Sequence, residues 1–227
     1  MSRLTYRTLR ENVVDMIRMK IISGDLKPGT KIVEQELANE FDISRGPIRE
    51  ALRQLEQEGM IEYTRNVGCY VRTIDIQDVY EIYYMRASYE MMAVKLCGGA
   101  IPRDVIDRME SVLANMSQIT IGNFKDVFEL DKQFHSEILT LVDLSRLKKA
   151  WEALEYGNVI IGNTTNLNQE AIIEAQYRIH KELLDAFKSG DMQVICTAIM
   201  DHYMKSVRKL MEEAGISTET FPYQLYV

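Results

Sequence analysis

Apolar residues at helical spacing, interrupted only by short breaks, extend from residue 75 to about residue 214. Helices joined by such short connections pack as antiparallel neighbours. The pattern therefore predicts a mainly α chain in which residues 75–227 form an antiparallel bundle of six or seven helices. The segment STETFPYQLYV at the end stays unassigned. The predicted breaks and caps are Gly98, Gly99, Pro102, Asn123, Asp143, Ser189, Gly190 and Asp191.

The N-terminal third of the chain has a different order of predicted elements. An amphipathic helix over residues 6–23 is ended by SGDLKPGTKI, and a short helix over residues 33–41 follows. The turn DIS leads into a third helix, with Ser44 as its predicted N-cap and Gly59 at its end. Two short strands around RNVG form a hairpin, with Gly68 as its left-handed residue. This order predicts a winged helix-turn-helix.

The third helix carries Arg45, Arg49 and Arg53 four residues apart, so their side chains form one stripe along the helix. In a helix-turn-helix the edge with Arg45, Gly46 and Arg49 enters the major groove of DNA, where arginines bind phosphates or form two parallel hydrogen bonds with guanine. Two further polar residues lie at the predicted hairpin tip, Arg65 and Asn66. The alternative is a solvated surface helix on which the arginines pair with Glu50 and Glu56.

Charge divides the chain at the same place as the predicted elements. Residues 1–74 hold 12 Lys and Arg against 11 Asp and Glu, whereas residues 75–227 hold 15 against 23, within a formal net charge of -7. An acidic bundle repels DNA, so contact with DNA is expected of the first segment alone. We therefore predict two domains, over residues 1–74 and 75–227.

Membrane and disulfide chemistry are not expected. No run of eighteen or more uncharged apolar residues occurs, and MSRLTYRTLRENVVD lacks the apolar core of a secretory signal. The expectation is a soluble, cytoplasmic protein. The three cysteines, Cys69, Cys97 and Cys196, form no CxxC pair and are interpreted as reduced structural residues.

All three histidines lie in the predicted bundle. Asp131 and His135 share one helix face, while His180 and His202 lie at nearly the same height on either side of a turn near residue 190. If these helices pack together, three imidazoles and one carboxylate converge. Such a set suits a divalent metal ion, zinc first, with nickel or manganese as alternatives. For each histidine alone, a surface or hydrogen-bonded core position is the simpler interpretation.

Arg86, on the first bundle helix, is a candidate effector-binding residue. We predict that it points into the same cavity and binds an anionic ligand. The alternative is a salt bridge to Glu90, one helical turn further along the chain.

Residues 21–71, from IISGDLKPGT to NVGCYV, closely resemble the DNA-binding domain of the GntR family of bacterial transcription regulators. In the helical part, MRASYE, DKQFH and HKELLDAFKSGDMQVICTAIMDHY resemble the FCD effector-binding domain of the FadR subfamily. The resemblance implies a homodimer that binds a palindromic operator and responds to a small organic acid. The implied DNA contacts are Ser44, Arg45, Arg49, Arg65, Asn66 and Gly68. The implied metal ligands are Asp131, His135, His180 and His202.

The predicted function is therefore a DNA-binding transcriptional regulator, a repressor, whose operator affinity is controlled by a small carboxylate metabolite at the metal site. One alternative is a metal-dependent hydrolase or lyase acting on small carboxylates, with Glu137 or Glu174 as its base. Such an enzyme needs no winged helix, and we predict that the chain is not an enzyme. A further alternative is an architectural DNA-binding protein whose bundle only dimerises.

Overall fold

The computed structural model describes residues 8–64, 67–123, 126–154, 169–219 and 221. These residues form two compact units, of which the first ends at Ile74 and the second begins at Asp75. The first is a winged helix-turn-helix and the second an all-helical bundle, so the predicted fold is confirmed. Among the described residues, no helix combines the length and apolarity that a bilayer crossing requires.

The first unit consists of three helices and a three-stranded sheet. Its elements are α1 Leu9–Ile22, β1 Lys31–Ile32, α2 Glu34–Glu40, α3 Arg45–Gln57, β2 Ile61–Thr64 and β3 Gly68–Val71. β3 is central and antiparallel to both neighbours, so Tyr70 lies opposite Lys31 on one side and Glu62 on the other. β1 is missing from the predicted elements because a strand of two residues is too short to show alternation.

The core of the first unit lies between α1 and α3. α1 begins with a capping box, in which Thr8 accepts a hydrogen bond from the Glu11 amide and Glu11 accepts one from the Thr8 amide. Ile48, Leu52 and Leu55 of α3 are completely buried. Because these three residues fix one face of α3 against the core, the opposite edge of the helix remains exposed.

The second unit contains six α-helices and one short 3-10 helix among the described residues. They are α4 Ile76–Leu96, α5 Arg103–Met116, the 3-10 helix Ile121–Asn123, α6 Asp126–Leu139, α7 Ser145–Ala153, α8 Gln169–Ser189 and α9 Met192–Glu213. α9 packs along α4 and α8, while α6 packs against α4 and α5. This arrangement brings α4, α6, α8 and α9 around one interior.

Two helix starts in this unit differ from the prediction: Asp191, predicted only as part of a hinge, is an N-cap, and Asp143, predicted as a cap, is not. Asp191 caps α9, because its carboxylate accepts hydrogen bonds from the amides of Gln193 and Val194. Asp143 is not the cap of α7, since that helix begins at Ser145 after Leu144. The predicted cap at Asn123 precedes residues 124–125, which lie outside the described residues. The predicted extension of α7 beyond residue 154 also lies outside them.

Ser44 of the first unit is a further correction. It occupies the N-cap position of α3 with extended backbone, as its sequence position predicts, but its side chain makes no capping hydrogen bond. The hydroxyl is therefore not used in holding the helix end.

Candidate functional site

The exposed edge of α3 carries the predicted DNA-contacting arginines. The side chains of Arg45 and Arg49 are 53% and 50% exposed, and both pair with Glu34 on α2. Arg49 binds this carboxylate through two nitrogens, with Nε 3.0 Å from Oε1 and Nη2 2.8 Å from Oε2. Arg45 Nη2 lies 2.7 Å from Oε2. The arginines thus pair across the turn with α2, and not along α3 with Glu50 and Glu56.

Glu34 is a site residue that the sequence reasoning missed. Its hydrogen bond to Arg49 is the largest influence on its pKa, which falls to about 2 despite partial burial. The carboxylate therefore stays charged at any pH at which DNA binding is studied. The available signal was its place in the first turn of the helix before the turn, which faces α3 in a helix-turn-helix.

Of the other predicted DNA contacts, Ser44 lies at the start of α3 and Gly68 lies in the wing, the hairpin of β2 and β3. Ser44 is exposed beside Arg45, and a side chain added at Gly46 would meet no atom within 4 Å. Gly68 has φ of +133°, and a Cβ there would lie 3.1 Å from the Lys31 side chain, so the predicted positive φ is present. Arg65 and Asn66 lie outside the described residues.

In the second unit, four predicted ligand side chains meet in the bundle interior. Asp131 and His135 come from α6, His180 from α8 and His202 from α9. One ligand atom from each residue can be chosen so that all four lie within 4.8 Å of one another. The predicted equal height of His180 and His202 agrees with their ring centroids, which are 4.9 Å apart.

Hydrogen bonds on the outer ring nitrogens direct two of the imidazoles inward. His135 Nδ1 lies 3.0 Å from Glu90 Oε2, and His180 Nδ1 lies 2.8 Å from the carbonyl oxygen of Gln176. Because these oxygens accept hydrogen bonds from Nδ1–H, the Nε2 atoms of the neutral rings carry lone pairs. Both Nε2 atoms are therefore set up as metal ligands.

The inner atoms of the cluster are close together and only partly satisfied by one another. His180 Nε2 lies 3.2 Å from Asp131 Oδ1, yet it makes no hydrogen bond among the described residues. His135 Nε2 lies 3.1 Å from His202 Nε2. His202 Nδ1 is buried and has no hydrogen-bond partner among the residues that the structure describes. Several buried acceptors at such distances repel one another unless a cation or a proton lies between them. The residues therefore fit a bound metal ion.

Burial and neighbouring charges shift the pKa values of the cluster in different directions. Burial lowers the pKa of His202 well below its ordinary value, and the charges of His135 and His180 lower it further. Burial also lowers the pKa of His135, but the neighbouring Glu90 outweighs this effect and raises the pKa overall. For Asp131, contact with His180 and the charge of His135 overcome burial and lower the pKa. Burial and mutual charge thus act differently on each member of the cluster.

Arg86 lies behind the cluster in a buried polar network. Its guanidinium stacks on Trp151, with Cζ 4.2 Å from the ring centroid, and its Nε donates to Tyr203 Oη at 3.2 Å. Tyr203 Oη in turn donates to Glu90 Oε1 at 2.6 Å, and Trp151 Nε1 donates to the same oxygen at 2.8 Å. Arg86 therefore reaches Glu90 through Tyr203, and not by the direct salt bridge that was the alternative.

The two terminal nitrogens of Arg86 have no hydrogen-bond partner among the described residues, although the residue has no exposed surface. A guanidinium stays charged in proteins, so an unpaired buried one is costly. A cavity of about 80 Å³ adjoins the cluster and has Asp131, His202 and Tyr203 in its wall. Arg86 is not in that wall, but its partner Tyr203 is.

The sequence reasoning missed two members of this network, Tyr203 and Trp151, and gave Glu90 a different partner. Tyr203 follows a predicted ligand directly, and this adjacency was the available signal for it. The position of Trp151 could not be found in this way, because it depends on how α7 packs against α4.

Two family models match the chain. The model for bacterial regulatory proteins of the gntR family matches residues 9–71, and the FCD domain model matches residues 81–205. The second match covers more than half of the chain. The resemblance of the sequence motifs to the GntR family and to the FCD domain is therefore confirmed.

Two relatives of the chain are named as transcriptional repressors, in agreement with the family models. The chain is 30% identical over 213 residues to the gluconate operon transcriptional repressor of Bacillus licheniformis, covering 89% of this chain and 85% of that protein. It is 25% identical over 215 residues to the HTH-type transcriptional repressor RspR of Escherichia coli, covering 92% and 89%. The fold is similar to that of E. coli McbR/YncC, with a TM-score of 0.75, 19% identity, and coverage of 92% and 100%.

The enzyme alternative finds no support in these relatives or in its suggested bases. Glu137 pairs with Arg108 at 2.6 Å, and Glu174 is exposed to solvent. The prediction that the chain is not an enzyme is confirmed by its family, whose members regulate transcription. The chain belongs to the GntR family of bacterial regulatory proteins, carries an FCD domain, and is a DNA-binding transcriptional regulator.

Proposed function

We propose that this protein is a repressor whose affinity for operator DNA is controlled by a small organic acid bound at a metal site in its FCD domain. The observation that carries the proposal is the convergence of three imidazoles and a carboxylate beside a cavity, with an unpaired guanidinium behind them. The relatives that are named as repressors support the direction of control.

The DNA-binding part of the proposal assigns α3 to the major groove. A homodimer would present two such helices to the two halves of a palindromic operator. The proposed contacts are Ser44, Arg45, Arg49, Arg65, Asn66 and Gly68. Arg45 and Arg49 support this role because their side chains are half exposed and held side by side by Glu34.

The metal part of the proposal assigns Asp131, His135, His180 and His202 as ligands of one divalent ion. Three nitrogens and one carboxylate oxygen suit zinc first, with nickel and manganese as alternatives. When bound, such an ion would supply a positive centre for a carboxylate oxygen of the effector. Glu90 and the Gln176 carbonyl support the site by orienting two of the rings.

The effector part of the proposal assigns Arg86 as a second anion-binding group. Its terminal nitrogens are buried and unpaired, so a ligand carboxylate would satisfy both at once. Because Tyr203 lies in the cavity wall and binds Arg86, this contact requires Tyr203 to move. Gluconate, which names the operon of one relative, is a sugar acid and supports the class of ligand.

The DNA assignment is tested by selecting duplexes from a random pool with the purified protein. We expect the selected sequences to contain a palindrome. Arg49→Ala should abolish binding to that sequence, whereas Arg53→Ala, on the same helix but outside the proposed contacts, should retain it. Equal binding by the two variants, or a pool without a shared sequence, would refute the assignment.

The effector assignment is tested by a thermal-shift screen of small organic acids on zinc-loaded protein. A ligand that binds only the folded protein raises the melting temperature, and the increase grows with the ratio of ligand concentration to Kd. We expect the response to disappear in His180→Ala. It should weaken in Arg86→Lys, which keeps the positive charge but cannot donate two parallel hydrogen bonds to a carboxylate. A response of equal size in His180→Ala would separate the effector from the metal site. If no acid binds and metal removal leaves the melting temperature unchanged, the architectural alternative is favoured.

A further inference from the structure

One exposed edge of α4 carries an apolar stripe although it lies outside the core of the bundle. Arg86, Glu90 and Ala93 point into the core and have no exposed surface. Roughly 100° around the helix from that face, Met85, Met92 and Leu96 are 42%, 46% and 59% exposed. An apolar stripe on a helix that already buries another face indicates a second surface for packing.

These three residues form one continuous stripe. Met85 and Met92 are seven residues, or about two turns, apart, and Leu96 lies about one turn further along the same face. Single exposed apolar residues are ordinary on protein surfaces, but an aligned row along one helix marks a surface that binds another protein.

The charges beside the stripe are arranged so that the helix complements itself. Glu81 lies four residues before Met85 and Lys95 lies three residues after Met92, and both are exposed. The midpoint between Glu81 and Lys95 is Ser88, and the midpoint between the two methionines lies between Ser88 and Tyr89. A second copy of the helix, antiparallel about Ser88, therefore brings acid against base at both ends and methionine against methionine between them.

We propose that α4 pairs antiparallel with α4 of a second copy of this chain about a two-fold axis near Ser88. Met85 then packs against Met92 of the partner subunit, and Glu81 pairs with Lys95 of the partner subunit. A parallel pair would place Glu81 against its own copy, which costs energy. The two-fold relation is the one that isologous dimers require.

Ser88 suits the centre of such a contact. Its side chain is small, so the two helix backbones can approach closely. Its hydroxyl donates to the Tyr84 carbonyl oxygen at 2.8 Å within the same helix, so burial does not leave the donor unsatisfied. Both properties fit a position on the axis of a helix pair.

This inference names the surface of the homodimer contained in the proposed function and rests on that part of it. It also places the interface on the helix whose other face carries Arg86 and Glu90. One helix then contacts both the effector network and the partner subunit.

The test is sedimentation velocity of the full chain and of matched variants. We expect the unmodified protein to sediment as a dimer and the double variant Met85→Glu with Met92→Glu as a monomer at the same concentration. Leu144→Glu, which alters an exposed leucine elsewhere in the bundle, should remain dimeric. Circular dichroism and zinc content show whether each variant is folded.

A charge exchange tests the antiparallel register separately and does not depend on the double variant folding. Glu81→Lys alone and Lys95→Glu alone should each weaken the dimer, and the two together should restore it. A double methionine variant that stays dimeric, or an exchange that fails to restore association, overturns the α4 assignment and leaves the regulator function standing. A monomeric unmodified protein overturns the homodimer of the proposed function as well.

Discussion

At the residue scale, the free winged helix-turn-helix already satisfies the arginines that are proposed to bind DNA. Glu34 engages Arg45 and Arg49 with three hydrogen bonds of 2.7 to 3.0 Å. Two long side chains that would otherwise sample many rotamers are thereby held in one place. The carboxylate also lowers the net positive charge that non-specific phosphate contacts need. We therefore expect Glu34 to favour sequence-specific over non-specific binding of DNA.

We expect Glu34→Gln to reduce the ratio of specific to non-specific DNA affinity by about tenfold, within the range for a well-oriented bidentate contact. Removing one negative charge near the phosphates should raise affinity for scrambled duplex, while loss of orientation lowers affinity for the selected palindrome. Fluorescence anisotropy with both duplexes measures the ratio. Glu36→Gln, an exposed change on the same helix, is the matched control. If the ratio of specific to non-specific affinity is unchanged in Glu34→Gln, Glu34 does not orient the arginines for DNA binding.

A second residue-scale prediction concerns Glu90, whose Oε1 accepts from Tyr203 and Trp151 and whose Oε2 faces His135 Nδ1. In Glu90→Gln the amide oxygen can keep the first two bonds, but the amide nitrogen must donate to Nδ1. That donation moves the ring proton to Nε2, the atom that should bind metal. We expect zinc affinity to fall about 10- to 100-fold, as measured by competition with a chelator.

The matched control for this change is Glu129→Gln, because Glu129 is an exposed glutamate on α6, the helix that carries His135. It should bind zinc like the unmodified protein. Equal zinc affinity in Glu90→Gln and in the control contradicts the role assigned to the Glu90 carboxylate.

Most of the metal-binding candidate site could be predicted from the sequence, whereas its supporting residues could not. Asp131 with His135, and His180 with His202, are related by helical rise and by the position of one turn, which are local properties. Tyr203 and Trp151 reach Glu90 across 113 and 61 residues of chain. Their convergence depends on how helices rotate about their axes when they pack, and a single sequence does not specify that rotation.

At the element scale, helix ends were harder to predict than helices. Asp191 caps α9 although its position predicted only a hinge, and Asp143 lies one residue too early for α7, where Leu144 occupies the N-cap. A capping side chain needs both the right residue and the right backbone position, and periodicity locates a boundary only to within a residue or two. Strand β1 was not predicted for a related reason, since a strand of two residues is too short to show an alternating pattern.

The cap of α9 should matter for stability because this helix carries His202 and Tyr203. We expect Asp191→Ala to lower the free energy of unfolding by about 1 kcal/mol, the usual effect of losing an N-cap carboxylate. The exposed change Asp185→Ala breaks only a surface ion pair with Lys181 and should cost less than about 0.5 kcal/mol. Urea denaturation followed by circular dichroism measures both. Losses of equal size would mean that the cap contributes no more than a surface charge.

At the scale of the whole molecule, the proposed function places the operator on the winged helix-turn-helix and the effector on the FCD domain, so any effect of one on the affinity for the other must be reciprocal. If the effector lowers operator affinity by some factor, the operator lowers effector affinity by the same factor. We expect one factor between about 5 and 150, the range for typical allosteric coupling of 1–3 kcal/mol. Anisotropy of the operator with and without effector measures one side of the cycle. Calorimetric titration of the effector with and without operator measures the other.

A variant of one proposed metal ligand tests whether this coupling depends on the cluster. In His180→Ala the cluster loses one ligand while the residues of the winged helix-turn-helix are untouched, so basal operator affinity should change by less than about threefold, whereas the coupling factor should fall to one. Asp201→Asn, which removes a carboxylate next to His202 but outside the ligand set, should retain the factor. Coupling that persists in His180→Ala, or two sides of the cycle that disagree, means that no single equilibrium of the FCD domain connects the effector to DNA.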